Sequence, residues 1–411
     1  MALPVRRFPV DTRAMPAYRR NPDACTSAPR VTVAGRGTPD PDPLPAPAKR
    51  SFRRAPVSRA PGVAPALLGT PVADPYAGFS PGPAGATVRC NACAHRCAIR
   101  VGRRGICGVR ENRDGQLTTL VYGELVAAHA EPIEKKPLFH VMPGTDAYSV
   151  ATAGCNFRCL FCQNWEIAQA PREKLRPLAE SVEPGELVRR AVLSGSRSVA
   201  YTYVEPTVFL EYALDTARLA HRAGLANVFV TNGYQTPEAL ELMAGLIDAA
   251  NVDLKGFDER FYRRVAGARL EHVLETLAGM RRLGIWIEVT TLVIPGQNDD
   301  LDMLLRAAAW IARELGPDTP WHLSRFYPAY RMTGVPVTPL PVLHAAAAAG
   351  RRAGLRHVYV GNVDDGGADT SCPACGRVVI ARAGRRVDRS GLRYGRCAAC
   401  RTPISGFGLD G

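Results

Sequence analysis

Cys155, Cys159 and Cys162 lie within "GCNFRCLFCQNW" (154–165), three thiols at x3 and x2 spacing on one short stretch. Three thiolates so spaced can reach three corners of a cubane iron–sulfur cluster and leave the fourth iron without a protein ligand. A structural zinc site closes with four ligands, and an electron-transfer cluster normally takes four cysteines. An iron with open coordination can bind a substrate or a cofactor, so the count of three is itself the chemistry. The competing reading is a zinc site completed by a remote ligand.

Two more cysteine groups follow other patterns. Cys372 and Cys375 ("CPAC") and Cys397 and Cys400 ("CAAC") are separated by 21 residues, with the β-prone "RVVIA" between them. Two such knuckles fit a closed tetrahedral zinc ribbon, although Arg401 replaces the common glycine after the second. A segment of about 40 residues needs such a staple, because its own core is too small. Cys90, Cys93, Cys97 and Cys107, with His95 among them, suit zinc but would equally hold a second iron–sulfur cluster, and spacing alone does not decide.

All 12 cysteines except Cys25 fall in these groups, which reads as metal sites in a reducing compartment rather than scattered disulfides. The start "MALPVRRFPV" has no apolar core of signal-peptide length. No run approaches the ~18 apolar residues of a membrane helix. A cytoplasmic location is expected.

The net charge of +14 suggests nucleic acid, but residues 1–88 carry 12 Lys+Arg against 5 Asp+Glu, half of the excess, and 17 of the 34 prolines. That stretch is expected to be a disordered basic extension, unable to offset its chain entropy by burial. The remainder shows no basic stripe interleaved with aromatics, which argues against nucleic-acid binding. Only five of the 52 basic residues are lysines: Lys49, Lys135, Lys136, Lys174 and Lys255. A chain so biased toward arginine singles out Lys135, Lys136 and Lys255, since an ammonium pairs with one compact group where a guanidinium spreads.

The elements that must position these groups begin near Tyr148. Runs rich in Val, Ile and Thr alternate with amphipathic helical patterns: "YSVATAG", "SVAYTYV", "NVFVTNG", "NVDLKGF", "IWIEVTTLVI", "WHLSRFYP" and "HVYVGN" are the strands. Such alternation implies parallel strands with right-handed crossovers. About seven βα units predict an incomplete β/α barrel, with a doubly wound sheet as the alternative. The expected organisation is an extension (1–88), a Cys-rich module (89–147), the barrel (148–365) and a zinc-ribbon-like module (366–411). Polar residues cluster at the strands' C-terminal ends, in "TYVEP" (202–206), "TNG" (231–233), "DLK" (253–255), "TT" (290–291) and "SRFYP" (324–328), the edge that carries ligands in parallel α/β folds. Asp253 and Lys255, two apart on a strand, share a face, and an internal ion pair between them is the plain alternative to ligand binding.

C-x3-C-x-aromatic-C at the end of a first barrel strand resembles the signature of the radical SAM superfamily. "CNACAHRCAIRVGRRGICGVREN", "EPIEKKPLFHVMPG", "AYTYVEPTVFLEY", "VTNGY", "VDLKGFD" and "HLSRFYPAYRM" together resemble the AmmeMemoRadiSam-system radical SAM enzymes, relatives of glycyl-radical activases such as those of pyruvate formate-lyase. The resemblance implies a 4Fe-4S cluster on Cys155, Cys159 and Cys162 and S-adenosylmethionine (SAM) on the open iron. It also implies reductive cleavage of SAM to a 5′-deoxyadenosyl radical that abstracts hydrogen from an unidentified substrate. By the same resemblance Phe161 lies against the adenine. Thr202 and Glu205 stand where many members have a Gly-Gly-Glu turn meeting the SAM amino group, and Asn232, Asp253, Lys255 and, on the sixth strand, His322 are further SAM candidates, with Arg325 behind them. Glu205-Pro206 would serve equally as an ordinary helix start, Asn232 as an Asn-Gly turn, and a solitary histidine such as His322 as a satisfied structural group. Lys135 and Lys136 are candidates for a substrate anion, or else a solvated pair. A low-potential ferredoxin or flavodoxin, an AMMECR-type protein and a Memo-like protein are the implied partners. A glycyl-radical activase and a non-catalytic metal-binding module that binds nucleic acid are the alternatives.

Overall fold

A computed structural model of the chain describes residues 60–73, 86–363 and 368–410. Its central sheet has eight strands in chain order: β1 (Ala127–Pro132), β2 (Asp146–Ala151), β3 (Ser198–Tyr201), β4 (Ala226–Thr231), β5 (Ala249–Asp253), β6 (Trp286–Val293), β7 (Trp321–Arg325) and β8 (Val358–Gly361). Strands β2 to β8 overlap all seven expected runs and pair in parallel. β1, which was not expected, pairs antiparallel with β2. A doubly wound sheet reverses its strand order at a switch point. Here the order never reverses, so that alternative is set aside.

Helices α1 (Pro184–Leu193), α2 (Leu210–Arg222), α3 (Pro237–Met243), α4 (Leu270–Arg282), α5 (Leu301–Trp310) and α6 (Leu340–Arg352) return the chain between successive parallel strands. Their starts are written locally. Thr236 accepts from Ala239 N at 3.2 Å with Pro237 behind it, and Asp300 accepts from Met303 N at 2.7 Å. Each such cap contributes about 1 kcal/mol. α2 turns Leu210, Ala213, Leu214, Ala217 and Ala220 inward, where they join Val150, Val199, Phe229, Val252, Val289 and Leu323 of the sheet in one apolar core.

The stretch after β1 closes the N-terminal end of the sheet. Ile133, Leu138 and Val141 pack with Ala147, Val228 and Ala249 near the strand starts. Two backbone N–H groups of this floor, on Phe139 and His140, donate to the buried Glu288 carboxylate at 2.9 and 2.7 Å. The C-terminal module grips the same floor: His140 Nδ1 meets the Ser405 carbonyl at 2.7 Å, Phe407 N donates to the His140 carbonyl at 2.8 Å, and Arg382 donates to the Phe139 carbonyl at 2.6 Å.

The expected boundary at residue 88 needs correction. Gly62–Pro65 pairs with Gln116–Tyr122, and Gly69–Val72 pairs with Thr87–Cys90. A short strand needs no core of its own when it can extend an existing ladder, and Ala64 is buried there. Residues 1–59 and 74–85, with Cys25, lie outside the described residues, as does the expected junction at 365/366. Among the described residues no helix is long and apolar enough to cross a membrane.

Candidate functional site

The cysteine loop leaves β2 through Gly154, whose φ of +93° is a left-handed conformation. A Cβ there would lie 2.7 Å from Val109 Cγ1 and 2.9 Å from the Cys107 carbonyl, so only glycine fits. Arg158 N and Leu160 N donate to the carbonyls of Ala266 and Val265 at 2.9 and 3.0 Å, tying the loop to the segment before α4. Burial pushes the thiols of Cys155, Cys159 and Cys162 each up to about 12. Thiols so placed give up their protons when a cation takes the protons' place. The donor set therefore fits an iron–sulfur cluster.

A cavity of about 300 Å³ opens over this loop at the C-terminal edge of the strands. The three cysteines, Phe161, Thr202, Glu205, Asn232, Asp253, Lys255, Lys135 and Lys136 all line it. Lys255 Nζ donates to Asp253 at 3.0 Å and lies 5.6 Å from the centre of the Phe161 ring, so the internal pair is present inside the candidate site. Burial alone would lower its pKa, but Asp253 and the Cys159 sulfur outweigh that and raise it. The lysine stays cationic beside the thiols.

Glu205 combines both roles weighed for it. Its carboxylate lines the cavity, yet it accepts from Thr207 N, Thr207 Oγ1, Thr231 Oγ1, Asn232 N and Gln235 Nε2, all within 3.1 Å. It caps the turn after β3 and fixes the turn after β4. Asn232 is thereby aimed into the cavity. Its Nδ2 donates to Asn156 Oδ1 at 2.7 Å, while its buried Oδ1 has no protein partner and awaits a donor. Thr290 Oγ1, on the cavity wall, is likewise unpartnered.

Tyr203 takes a φ of +64° in the "TYVEP" turn, a conformation that glycine adopts freely and that costs a tyrosine about 1–2 kcal/mol. Tyr203's own contacts hold it: the hydroxyl donates to Glu131 at 2.5 Å and accepts from Lys136 Nζ at 3.2 Å, with His129 Nε2 at 2.9 Å. Lys136 is not a solvated residue. It is 2% exposed, bonded to Glu131 at 2.5 Å and 4.5 Å from the centre of the Tyr203 ring. Burial alone would raise the Glu131 carboxyl, but hydrogen bonds from Lys136 and Tyr203 hold it down to about 2. Lys135 is the more available of the pair, its side chain 62% exposed and 3.4 Å from Glu131.

His322 does not reach the cavity. It lies in register with Thr290 on the adjacent strand, but its Nε2 turns to Glu288 at 2.7 Å, and its ring stacks on Tyr359. A buried carboxylate that already holds the floor captures the imidazole. Arg325 also turns away, donating to the Thr338 carbonyl at 2.8 Å. Sequence reasoning passed over Asn156, Glu131 and His129. Asn156 stood in view inside the cysteine motif, while the other two lie on the unforeseen strand β1.

The other cysteines form two unlike sets. The sulfurs of Cys372, Cys375, Cys397 and Cys400 all lie within 4.8 Å of one another, with Cys372–Cys400 at 3.5 Å and Cys375–Cys397 at 3.7 Å. Four sulfurs gathered this closely could serve together as ligands to a single metal ion. Arg401 has φ +67° where Gly376 in the first knuckle has +72°, so both knuckles make the same turn. Cys90, Cys93, Cys97 and Cys107 line one shared cavity, with His95.

Residues 149–308 match the family model of the radical SAM superfamily. The chain is 45% identical over 296 residues to the uncharacterized protein MJ0808 of Methanocaldococcus jannaschii, covering 72% of this chain and 87% of that protein. It is 33% identical over 164 residues to GTP 3′,8-cyclase 2 of Pseudomonas aeruginosa, covering 38% of this chain and 49% of the cyclase, so the chain spans about half of that relative. A solved domain of a pyruvate-formate lyase-activating enzyme from Bacteroides vulgatus matches with a TM-score of 0.36 at 16% identity, covering 40% of this chain and 99% of that one. The chain belongs to the radical SAM superfamily and is a radical SAM enzyme. Membership implies an iron–sulfur cluster and the reductive cleavage of SAM, which sets aside the non-catalytic alternative.

Proposed function

We propose that the cavity over Cys155, Cys159 and Cys162 binds SAM and directs its reductive cleavage toward hydrogen abstraction from a substrate seated in the same cavity. The observation that carries this reading is one cavity lined by three clustered thiols, a cationic lysine and an unpartnered amide oxygen. The three cysteines would hold a 4Fe-4S cluster, which supplies the single electron that opens the sulfonium. Lys255 offers SAM's carboxylate a charge-assisted hydrogen bond, strengthened where water is excluded. Asn232 Oδ1 accepts from an amino or hydroxyl group, and Phe161 and Thr202 supply an apolar face and a small polar wall. Asp253 keeps Lys255 charged and aimed, and Glu205 holds Asn232 in place.

Lys135 is the group best placed to meet an anionic substrate, with Lys136 committed to Glu131. The sheet is read as an incomplete barrel wall, and the C-terminal four-cysteine group as a structural zinc site. A low-potential ferredoxin or flavodoxin would supply electrons. The separated motifs that resemble AmmeMemoRadiSam-system enzymes support AMMECR-type and Memo-like proteins as partners. The reading is tested by electron paramagnetic resonance of the reduced, reconstituted protein. Adding SAM shifts the cluster signal in the native chain, whereas a signal indifferent to saturating SAM contradicts the proposal.

A further inference from the structure

We propose that a second cavity beside the cysteine loop, lined by arginines, binds a small molecule that bears a diphosphate group. The site is separate from the cavity assigned to SAM, and its argument stands without the radical reading.

The cysteine loop serves two cavities by turns. Phe157, Cys159 and Phe161 line the one assigned to SAM, while the residues between them, Arg158 and Leu160, line another of about 730 Å³. Among the described residues the two cavities share no lining residue. The second lies within the range of about 300–1,000 Å³ that small-molecule sites occupy. Arg158, Arg172, Arg263, Arg264, Arg269 and Arg331 converge on it from four separate stretches of chain.

Three of these guanidiniums are neutralised. Arg263 pairs with Glu259 at 2.8 Å, Arg269 with Glu271 at 3.2 Å and Arg331 with Glu173 at 2.8 Å. Glu173 is the one carboxylate among the lining residues, and the Tyr330 hydroxyl also donates to it, at 2.5 Å. The other three have no carboxylate partner among the described residues. Arg172 donates to the carbonyls of Ile106, Cys155 and Phe157 at 2.6, 2.9 and 3.0 Å and to the Gln169 side chain. These neutral acceptors hold the group in place without cancelling its charge. Arg158 and Arg264 are exposed and make no side-chain hydrogen bond or ion pair among the described residues.

A solvated basic face is the plain alternative. A face that serves solubility alone intersperses its charges, however, and does not gather three uncancelled ones of like sign around one concavity. A guanidinium presents parallel N–H donors that fit two oxygens of a phosphate. One phosphate group carries about −1.5 to −2 near pH 7, so a diphosphate matches three such cations where a single carboxylate does not. Arg158 stands between Cys155 and Cys159, and Arg172 holds the Cys155 carbonyl, so the bound anion lies next to the loop that carries the three thiols.

The test is calorimetric titration of the full chain, purified without oxygen, with inorganic pyrophosphate and separately with ADP. Each probe should bind, and an Arg158→Ala/Arg264→Ala chain should bind at least about tenfold more weakly, through loss of charge-assisted hydrogen bonds. Neither side chain has a partner to lose, so the urea midpoint of that variant should be unchanged. Lys135→Ala, in the SAM cavity, should leave both affinities as they are, and saturating SAM should displace neither probe from the native chain. Equal affinity for the two probes assigns the site to the diphosphate alone, and tighter binding of ADP assigns it to a nucleotide. Absence of binding by both probes overturns the proposal, as does equal affinity in the native and double-variant chains, or displacement by SAM. Binding confined to a single-stranded RNA oligomer also overturns it and marks a macromolecular surface instead. All of these readouts are affinities, so failure here is distinguishable from failure of the radical reading.

Discussion

Lys255 stands between the Asp253 carboxylate, 3.0 Å away, and the sulfur loop it helps to roof. Replacing it with glutamine should weaken SAM binding to the cluster-loaded protein about ten- to a hundredfold, the loss of one charge-assisted bond of ~1.5–3 kcal/mol. Calorimetric titration reads this directly, and an unchanged affinity would remove Lys255 from the site. His322→Ala is the matching control. It removes a buried hydrogen bond to Glu288 and should lower stability by about 1–3 kcal/mol while leaving SAM affinity intact. The scarcity of lysine made Lys255 legible in the sequence, and the two-residue offset made its pairing with Asp253 legible too. His322 misled because a strand pattern gives the face of a side chain but not the partner its ring turns toward. The Glu131–Lys136–Tyr203 network was invisible for a similar reason: residues 131 and 203 meet through the fold alone.

At the scale of elements, all seven parallel strands were readable, because apolar runs with polar C-terminal ends repeat with each βα unit. β1 was not, since "AAHAEP" alternates weakly and is held by its pairing with β2. The strands at 62–65 and 69–72 escaped because their proline-rich surroundings lack any periodicity, and borrowed ladders order them. In the C-terminal four-cysteine segment, the unusual arginine after the second knuckle has a physical consequence. Arg401 is held at φ +67°, which costs a non-glycine residue about 1–2 kcal/mol. Arg401→Gly is therefore expected to slow the release of metal to a chelator. Faster release would show that the arginine's contacts outweigh the backbone strain.

Across the whole molecule, the C-terminal module, the floor segment and the sheet meet around two buried histidines. Burial lowers His140, and burial with the facing His140 ring lowers His357 to about 3, against the pulls of Asp318 and Glu288. Below about pH 6.5 the unfolded chain takes up protons at these sites and the fold does not, so stability falls with pH, by up to about 1.4 kcal/mol per pH unit for each histidine. The loss at His357 runs down to a pH of about 3. His221, raised by Asp248, acts in the opposite sense and loses its contribution as pH rises. Urea midpoints at pH 7.5 and 5.5 should show the loss in the native chain and a smaller loss in His357→Gln. An equal loss in both would place the titration elsewhere.

The central claim is that the three motif thiols and the cavity above them cleave SAM reductively. The direct measurement is 5′-deoxyadenosine formed by the anaerobic, reconstituted full chain with SAM and dithionite, beside the Cys155→Ala/Cys159→Ala/Cys162→Ala variant. The native chain is expected to form 5′-deoxyadenosine and the variant none. Absence of product from a native chain whose motif cluster is shown to be present and reduced would contradict the claim.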